Sequence, residues 1–166
     1  ASYVTGVGQS LARVSELPEL QFTFTVLNSP IVNAFALPGG YVYVTRGLLA
    51  LAGSEAELAS VLAHEIGHVT ARHATQRLQQ AQRLALGGAS ARADGPSGVG
   101  PTGVGEVGQD ATAYVQGYSR EQELEADTLG IRYLARAGYE PSAMASFLAK
   151  LDAHARLEAT LMGLPS

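Results

Sequence analysis

The sequence predicts an α+β domain, and three observations lead there. Phe22-Thr23-Phe24-Thr25-Val26 and Tyr41-Val42-Tyr43-Val44 alternate in the manner of half-buried strands. Helical apolar spacing occupies most of the chain on either side of them. The strand-like stretches are grouped and do not alternate with helices one for one. A small, mainly antiparallel sheet beside a set of helices is therefore expected.

Bulk composition narrows the class. A chain of 166 residues is long enough to bury a core and is read as one domain over 1–166. Hydrophobic residues make up 46% and charged ones 16%, a globular balance. The net charge is −4 and the eleven Lys and Arg are scattered, so no basic footprint for nucleic acid is expected. Without cysteine, any metal site must use histidines and carboxylates. No run approaches the roughly eighteen apolar residues of a membrane span. The first residue is Ala1 rather than Met, which reads as a piece of a longer protein.

Taken in order, Tyr3, Val7, Leu11 and Val14 share a helical face, and Pro18 lies beyond that helix. The strand at Phe22–Val26 follows, then the turn chemistry of Asn28-Ser29-Pro30. Ile31 to Leu37, Pro38-Gly39-Gly40 and Tyr41 to Val44 read as strand, sharp turn and strand. Composition favours two ordinary sheet strands here; the alternative is an exposed edge able to accept a peptide as an extra strand. Thr45 to Leu51 suits a short helical turn closed by Gly53. Ser54 and Glu57 form a capping-box pair that starts the next helix. Leu58, Val61, Leu62 and Val69 give that helix an apolar stripe, and the pattern can continue to about Leu86.

This helix carries His64-Glu65-Ile66-Gly67-His68, an H-E-x-x-H motif. Histidines four apart on a helix lie about 40° from eclipsed, so both imidazoles leave one face, as two ligands of one zinc ion must. Glu65 is placed to reach a water molecule at such an ion. A polar patch on a solvated helix would show the same letters, but the apolar stripe argues for a rigid, core-packed helix. On a continuous helix His73 lies about 180° from His64, so it is expected to be structural or to support a ligand.

Residues 87–110, rich in glycine with Pro96 and Pro101, are expected to form a mobile loop. Two matches to G-x-G-x-x-G, at Gly98-Gly100-Gly103 and Gly103-Gly105-Gly108, lack the strand–helix context of a nucleotide site. Ser119 and Gln122 make a second capping-box pair, opening a helix to about Ala137 that Gly138 ends. Pro141 begins a last helix with Met144, Phe147, Leu148 and Leu151 on one face. The Ser119 helix offers Glu121, Glu123, Glu125 and Asp127 as candidates for a third ligand. Glu123 and Asp127, four apart, share a face, so one can bind metal while the other orients a ligating histidine. Glu121 and Glu125 are expected on a solvated face. His154 lacks a sequence partner and reads as a surface histidine, the alternative being a transition-state hydrogen-bond donor.

Three blocks in order resemble the gluzincin metallopeptidases of the family that includes HtpX, the CAAX prenyl protease and the Oma-type quality-control proteases. They are Asn33-Ala34-Phe35-Ala36-Leu37-Pro38-Gly39-Gly40, the Glu57–His68 helix, and Ser119 to Asp127 with its Glu123-to-Asp127 spacing. The resemblance covers most of the chain outside residues 87–110. It implies a zincin (gluzincin) fold in which a second, helical lobe carries Glu123. It further implies one Zn2+ per chain held by His64, His68 and Glu123, with Glu65 as general base. Asp127 would hydrogen-bond a ligating histidine, His64 by preference. Asn33 and Ala34 would belong to the edge strand that holds the substrate backbone, which turns the reading of the hairpin toward a peptide-binding edge.

Family members often carry a His-Pro element after the helix of Phe147 and Leu148; this chain has none, so no role is carried over to His154. The expected function is zinc-dependent hydrolysis of polypeptides in protein quality control. It is expected outside the cytoplasm of a bacterium, with membrane or envelope association through regions beyond this chain. The rival reading is a zinc-bearing, chaperone-like binding module with blocked or weak proteolysis. A purely structural zinc site would need a fourth protein ligand, from His154 or the tail.

Overall fold

The computed structural model describes residues 1–90 and 117–163. In chain order the elements are α1 (Ser2–Ala12), β1 (Thr23–Leu27), β2 (Ala34–Leu37), β3 (Tyr41–Thr45), α2 (Arg46–Leu51), α3 (Glu55–Thr70), α4 (His73–Ser90), α5 (Arg120–Arg136) and α6 (Ser142–Leu161). The architecture is α+β, with a three-stranded sheet against helices. From residue 91 on, the segment expected as a mobile loop at 87–110 lies outside the described residues, as do both G-x-G-x-x-G matches. Gly87 and Gly88 do not end α4, which reaches Ser90.

The sheet corrects one expectation. Its order is β1-β3-β2, with β2 antiparallel and β1 parallel to β3, so it is mixed and not mainly antiparallel. The hairpin formed by β2 and β3 is the expected one. Gly39 (φ 96°) and Gly40 (φ 88°) supply the left-handed backbone its turn needs. Residues 28–33 then carry the chain from β1 past β3 to the far edge. Strand β2 therefore starts at Ala34 and not at Ile31. Ahead of it, the backbone of Asn33 is held by one side chain: its N–H donates to Thr45 Oγ1, and that hydroxyl donates to the Asn33 carbonyl, both at 3.0 Å. Phe35 and Tyr43 stack across the β2–β3 pair at 4.9 Å. Among the described residues β2 has one neighbour, so its other edge is unpaired.

The core lies between sheet and helices. Val4, Val7 and Leu11 of α1, Phe24 of β1, Val42 and Val44 of β3 and Leu58, Leu62 and Ile66 of α3 are buried in it. Tyr133, Leu134, Met144 and Phe147 close it from α5 and α6. Helix α3 starts as its sequence suggests, with Ser54 Oγ accepting from the Glu57 N–H at 3.2 Å. Glu57 does not complete the box; its carboxylate takes Lys150 Nζ of α6 at 2.8 Å. The box at Ser119 and Gln122 is complete.

Helices α3 and α5 are in unusually close contact, and two glycines permit it. A Cβ on Gly67 would sit 2.8 Å from the Ala126 carbonyl oxygen of α5. A Cβ on Gly130 would sit 3.1 Å from the His64 backbone nitrogen and 2.8 Å from Met144 Cε. Thr70 Oγ1 and the Tyr133 hydroxyl, 2.8 Å apart, tie the far ends of the same pair.

Gly67→Ala is expected to destabilise the chain by about 1–3 kcal/mol in urea unfolding, because rigid backbone blocks the added methyl. Gly6→Ala in α1, with nothing within 4 Å, is the control and should gain roughly 0.5–1 kcal/mol from helix propensity.

Candidate metal centre and cleft

Helix α3 points His64 and His68 the same way, and α5 crosses close enough to bring Glu123 over them. The two Nε2 atoms lie 3.0 Å apart. Glu123 Oε2 is 3.1 Å from His64 Nε2, and its Oε1 is 3.5 Å from His68 Nε2. One donor atom from each of the three residues falls within 4.8 Å of the others, and among the described residues no fourth His, Asp or Glu joins them. Two imidazoles and a carboxylate are a donor set suited to zinc.

The outward nitrogens are occupied, which fixes the inward ones. His64 Nδ1 is 2.8 Å from Asp127 Oδ1, one turn beyond Glu123 on α5. His68 Nδ1 is 2.8 Å from His73 Nδ1. Each ligand-type nitrogen therefore faces the cluster with its ring held from behind, as in well-ordered metal sites. The residues present fit a metal ion.

Charge is distributed unevenly over the cluster. Burial opposes the charged form of His64, but hydrogen bonds to Asp127 and Glu123 outweigh it and push its pKa up to about 10. Burial lowers His68 below the ordinary histidine value despite Glu123. Hydrogen bonds to His64 and then His68 hold the Glu123 carboxyl well below the usual carboxylate range. Burial pushes the Glu65 carboxyl up to about 7, with His64 opposing and Glu123 adding to the rise. A carboxyl poised near neutrality can both take and return a proton.

A cavity of about 310 Å³ opens beside the cluster. His64, Glu65, Glu123 and Asp127 line it, together with Asn33 and Ala34 and the apolar side chains of Met144 and Phe147. The six residues singled out from the sequence other than His68 thus share one wall system. His68 faces a second cavity of about 250 Å³ at the other end of β2, lined also by Ala36, Leu37 and Tyr118. The unpaired strand β2 links the two.

The contact of Glu125 and the place of Tyr118 escaped the sequence reading, and His73, expected to be structural or to support a ligand, meets His68 from an unexpected side. Helix α3 does not continue to Leu86; it ends at Thr70, and Arg72 takes a left-handed backbone (φ 58°) that starts α4 in a new direction. This turn swings His73 back beneath His68, fully buried, where an unbroken helix would have carried it to the opposite side. Glu125, expected on a solvated face, places its carboxylate 2.8 Å from His73 Nε2 although its side chain remains 57% exposed. Tyr118 stacks on His68 with ring centres 4.0 Å apart, and burial raises its hydroxyl to about 12. No glycine or proline marks the break at Arg72, so the signal for His73 and Glu125 was weak. His154 stays apart from the cluster, its Nε2 3.9 Å from Glu158 of its own helix.

Three relatives are similar to the chain over most of its length. The chain is 35% identical over 161 residues to a beta-barrel assembly-enhancing protease of Yersinia pestis, covering 93% of this chain and 33% of that protein. It is 31% identical over 155 residues to the mitochondrial metalloendopeptidase OMA1 of Schizosaccharomyces pombe, covering 91% of this chain and 44% of that protein. A third relative, OMA1 of Arabidopsis thaliana, is 36% identical over 140 residues, 84% of this chain and 28% of that protein. The chain thus spans about a third of the length of its bacterial relatives. The sequence model of peptidase family M48 matches residues 1–163, and the chain belongs to that family.

Proposed function

We propose that this chain is the catalytic domain of a zinc-dependent endopeptidase with a gluzincin fold. The observation that carries the reading is the convergence of His64, His68 and Glu123 on one point beside a cleft that Glu65 also lines. These three residues would hold one Zn2+ per chain, and residues 1–166 would act as one domain. Zinc held there supplies Lewis acidity toward the scissile carbonyl and acidifies water. Glu65, its carboxyl raised toward neutrality by burial, takes the proton of the attacking water and returns it to the departing amine. Asp127 keeps His64 oriented.

The unpaired edge of β2 would receive the substrate backbone as an added strand. Asn33 and Ala34 line the same cavity as Glu65, so a peptide laid along β2 passes the general base. The substrate class is polypeptide. The names of the relatives, a beta-barrel assembly-enhancing protease and a mitochondrial metalloendopeptidase, support a role in protein quality control. Among the described residues no helix is long and apolar enough to cross a membrane. The family resemblance supports work outside the bacterial cytoplasm, with envelope association through segments beyond this chain.

Cleavage of an unfolded protein such as casein, with and without a chelator, tests the proposal. Metal analysis is expected to find one zinc per chain, and chelation is expected to stop cleavage. A chain that holds zinc and never cleaves would favour the chaperone-like binding module instead.

Glu65→Gln should keep the metal and lose roughly 10²–10⁴-fold in cleavage rate; an undiminished rate would remove Glu65 from the chemistry. Glu123→Ala should lose zinc on dialysis, and Asp127→Ala should weaken zinc binding by about 10–100-fold in chelator competition. Full zinc content in Glu123→Ala would strike that residue from the ligand set.

A further inference from the structure

We propose that His73 and Glu125 form a positioning relay that fixes His68 in the one tautomer able to bind metal through Nε2. The inference deepens the zinc reading and rests on it. Its basis is a continuous chain of three contacts running away from the cluster. His68 Nε2 faces His64 Nε2 at 3.0 Å, His68 Nδ1 meets His73 Nδ1 at 2.8 Å, and His73 Nε2 meets Glu125 Oε2 at 2.8 Å.

Hydrogen-bond direction in this chain follows from its outer end together with a neutral His73, the state the relay requires. An ionised carboxylate can only accept, so the His73 Nε2–H donates to Glu125. A neutral His73 then carries its lone pair on Nδ1, which can only accept. The partner nitrogen, His68 Nδ1, must therefore carry a proton and donate it into that bond. With Nδ1 protonated, a neutral His68 presents a bare lone pair at Nε2, toward His64 and Glu123. Isolated imidazoles have no such fixed choice between their two nitrogens, and the relay makes it for His68.

Burial gives the relay its force. His73 is fully buried and His68 is 3% exposed, so water does not compete for the contact between them. An unpaired nitrogen there would carry the full penalty of a buried polar group. The outer end, Glu125, sits on the helix that also carries Glu123 and Asp127. The three acidic residues of Glu123-Leu124-Glu125-Ala126-Asp127 thus divide their contacts. Glu123 meets both histidines of the pair, Asp127 backs His64 directly, and Glu125 backs His68 through His73. One helix orients both imidazoles from behind while closing over them from the front.

The experiment is nitrogen-15 NMR of the histidine rings in the metal-free 166-residue chain, followed by zinc titration against a competing chelator. The expected spectrum shows His68 protonated at Nδ1 and bare at Nε2, with His73 neutral and protonated at Nε2. His73→Leu keeps bulk and removes the acceptor; it should move His68 toward the Nε2-protonated form and weaken zinc binding about 10–100-fold. Glu125→Ala, at an exposed position, should weaken binding in the same direction. His73→Gln, whose amide can accept from His68 and donate to Glu125, should recover most of the loss. A His68 protonated at Nε2 in the unaltered chain, a cationic His73, or wild-type zinc affinity in both His73→Leu and Glu125→Ala would overturn the relay. Because the tautomer is read without metal, failure of the unaltered chain to bind zinc would count against the zinc reading alone.

Discussion

The close approach of α3 and α5 is the constraint on which the rest of the site depends. Gly67 lies between the two histidines in sequence and against Ala126 in space, and Gly130 lies against the backbone at Ala63 and His64. Each contact leaves no room for a methyl group. The helix bearing the histidines and the helix bearing the carboxylates therefore meet nearly backbone to backbone. Glu123 and Asp127 can then both reach His64, at 3.1 and 2.8 Å. A wider crossing would part Glu123 from the two histidines and leave buried His68 without that partner.

Such a cluster is expensive unless every member is paired. Hydrogen bonds within the cluster raise His64 and lower Glu123, whereas burial lowers His68 and raises Glu65. The acid on the rim, Glu123, is drawn down, and the acid beneath, Glu65, is drawn up. Two carboxyl groups a short distance apart thus acquire opposite tendencies from their surroundings, one suited to remain an anion and one to exchange a proton. The same logic extends outward through His73, where a buried imidazole is satisfied on both sides.

The sheet contributes an edge. Strand β2 owes its position to the 28–33 crossing and to Thr45, whose hydroxyl both accepts from and donates to the Asn33 backbone. That clamp leaves the outer rim of β2 running between two cavities, with the histidine pair between them. In the proposed enzyme this is where a substrate chain lies. The geometry asks for an extended segment, because only extended backbone can pair with a strand edge.

Much of this was legible from residues alone. The H-E-x-x-H spacing on a helix with an apolar stripe is a local property, since a regular helix fixes which residues share a face. The Glu123–Asp127 spacing, the two Ser caps and the Gly39-Gly40 turn are local in the same sense. What the sequence left undecided depends on how elements meet. The parallel pairing of β1 with β3 arises from a crossing that no short pattern records. The break at Arg72, a left-handed residue without a glycine to announce it, turned His73 from the far side of a helix to the back of His68. Glu125 is exposed as expected, but its contact with buried His73 joins residues fifty-two positions apart, which no local pattern records. The sequence by itself determined the donors and their spacing; the tertiary structure alone decided which side chains stand behind them, because that depends on the angle and closeness at which α3, α4 and α5 pack.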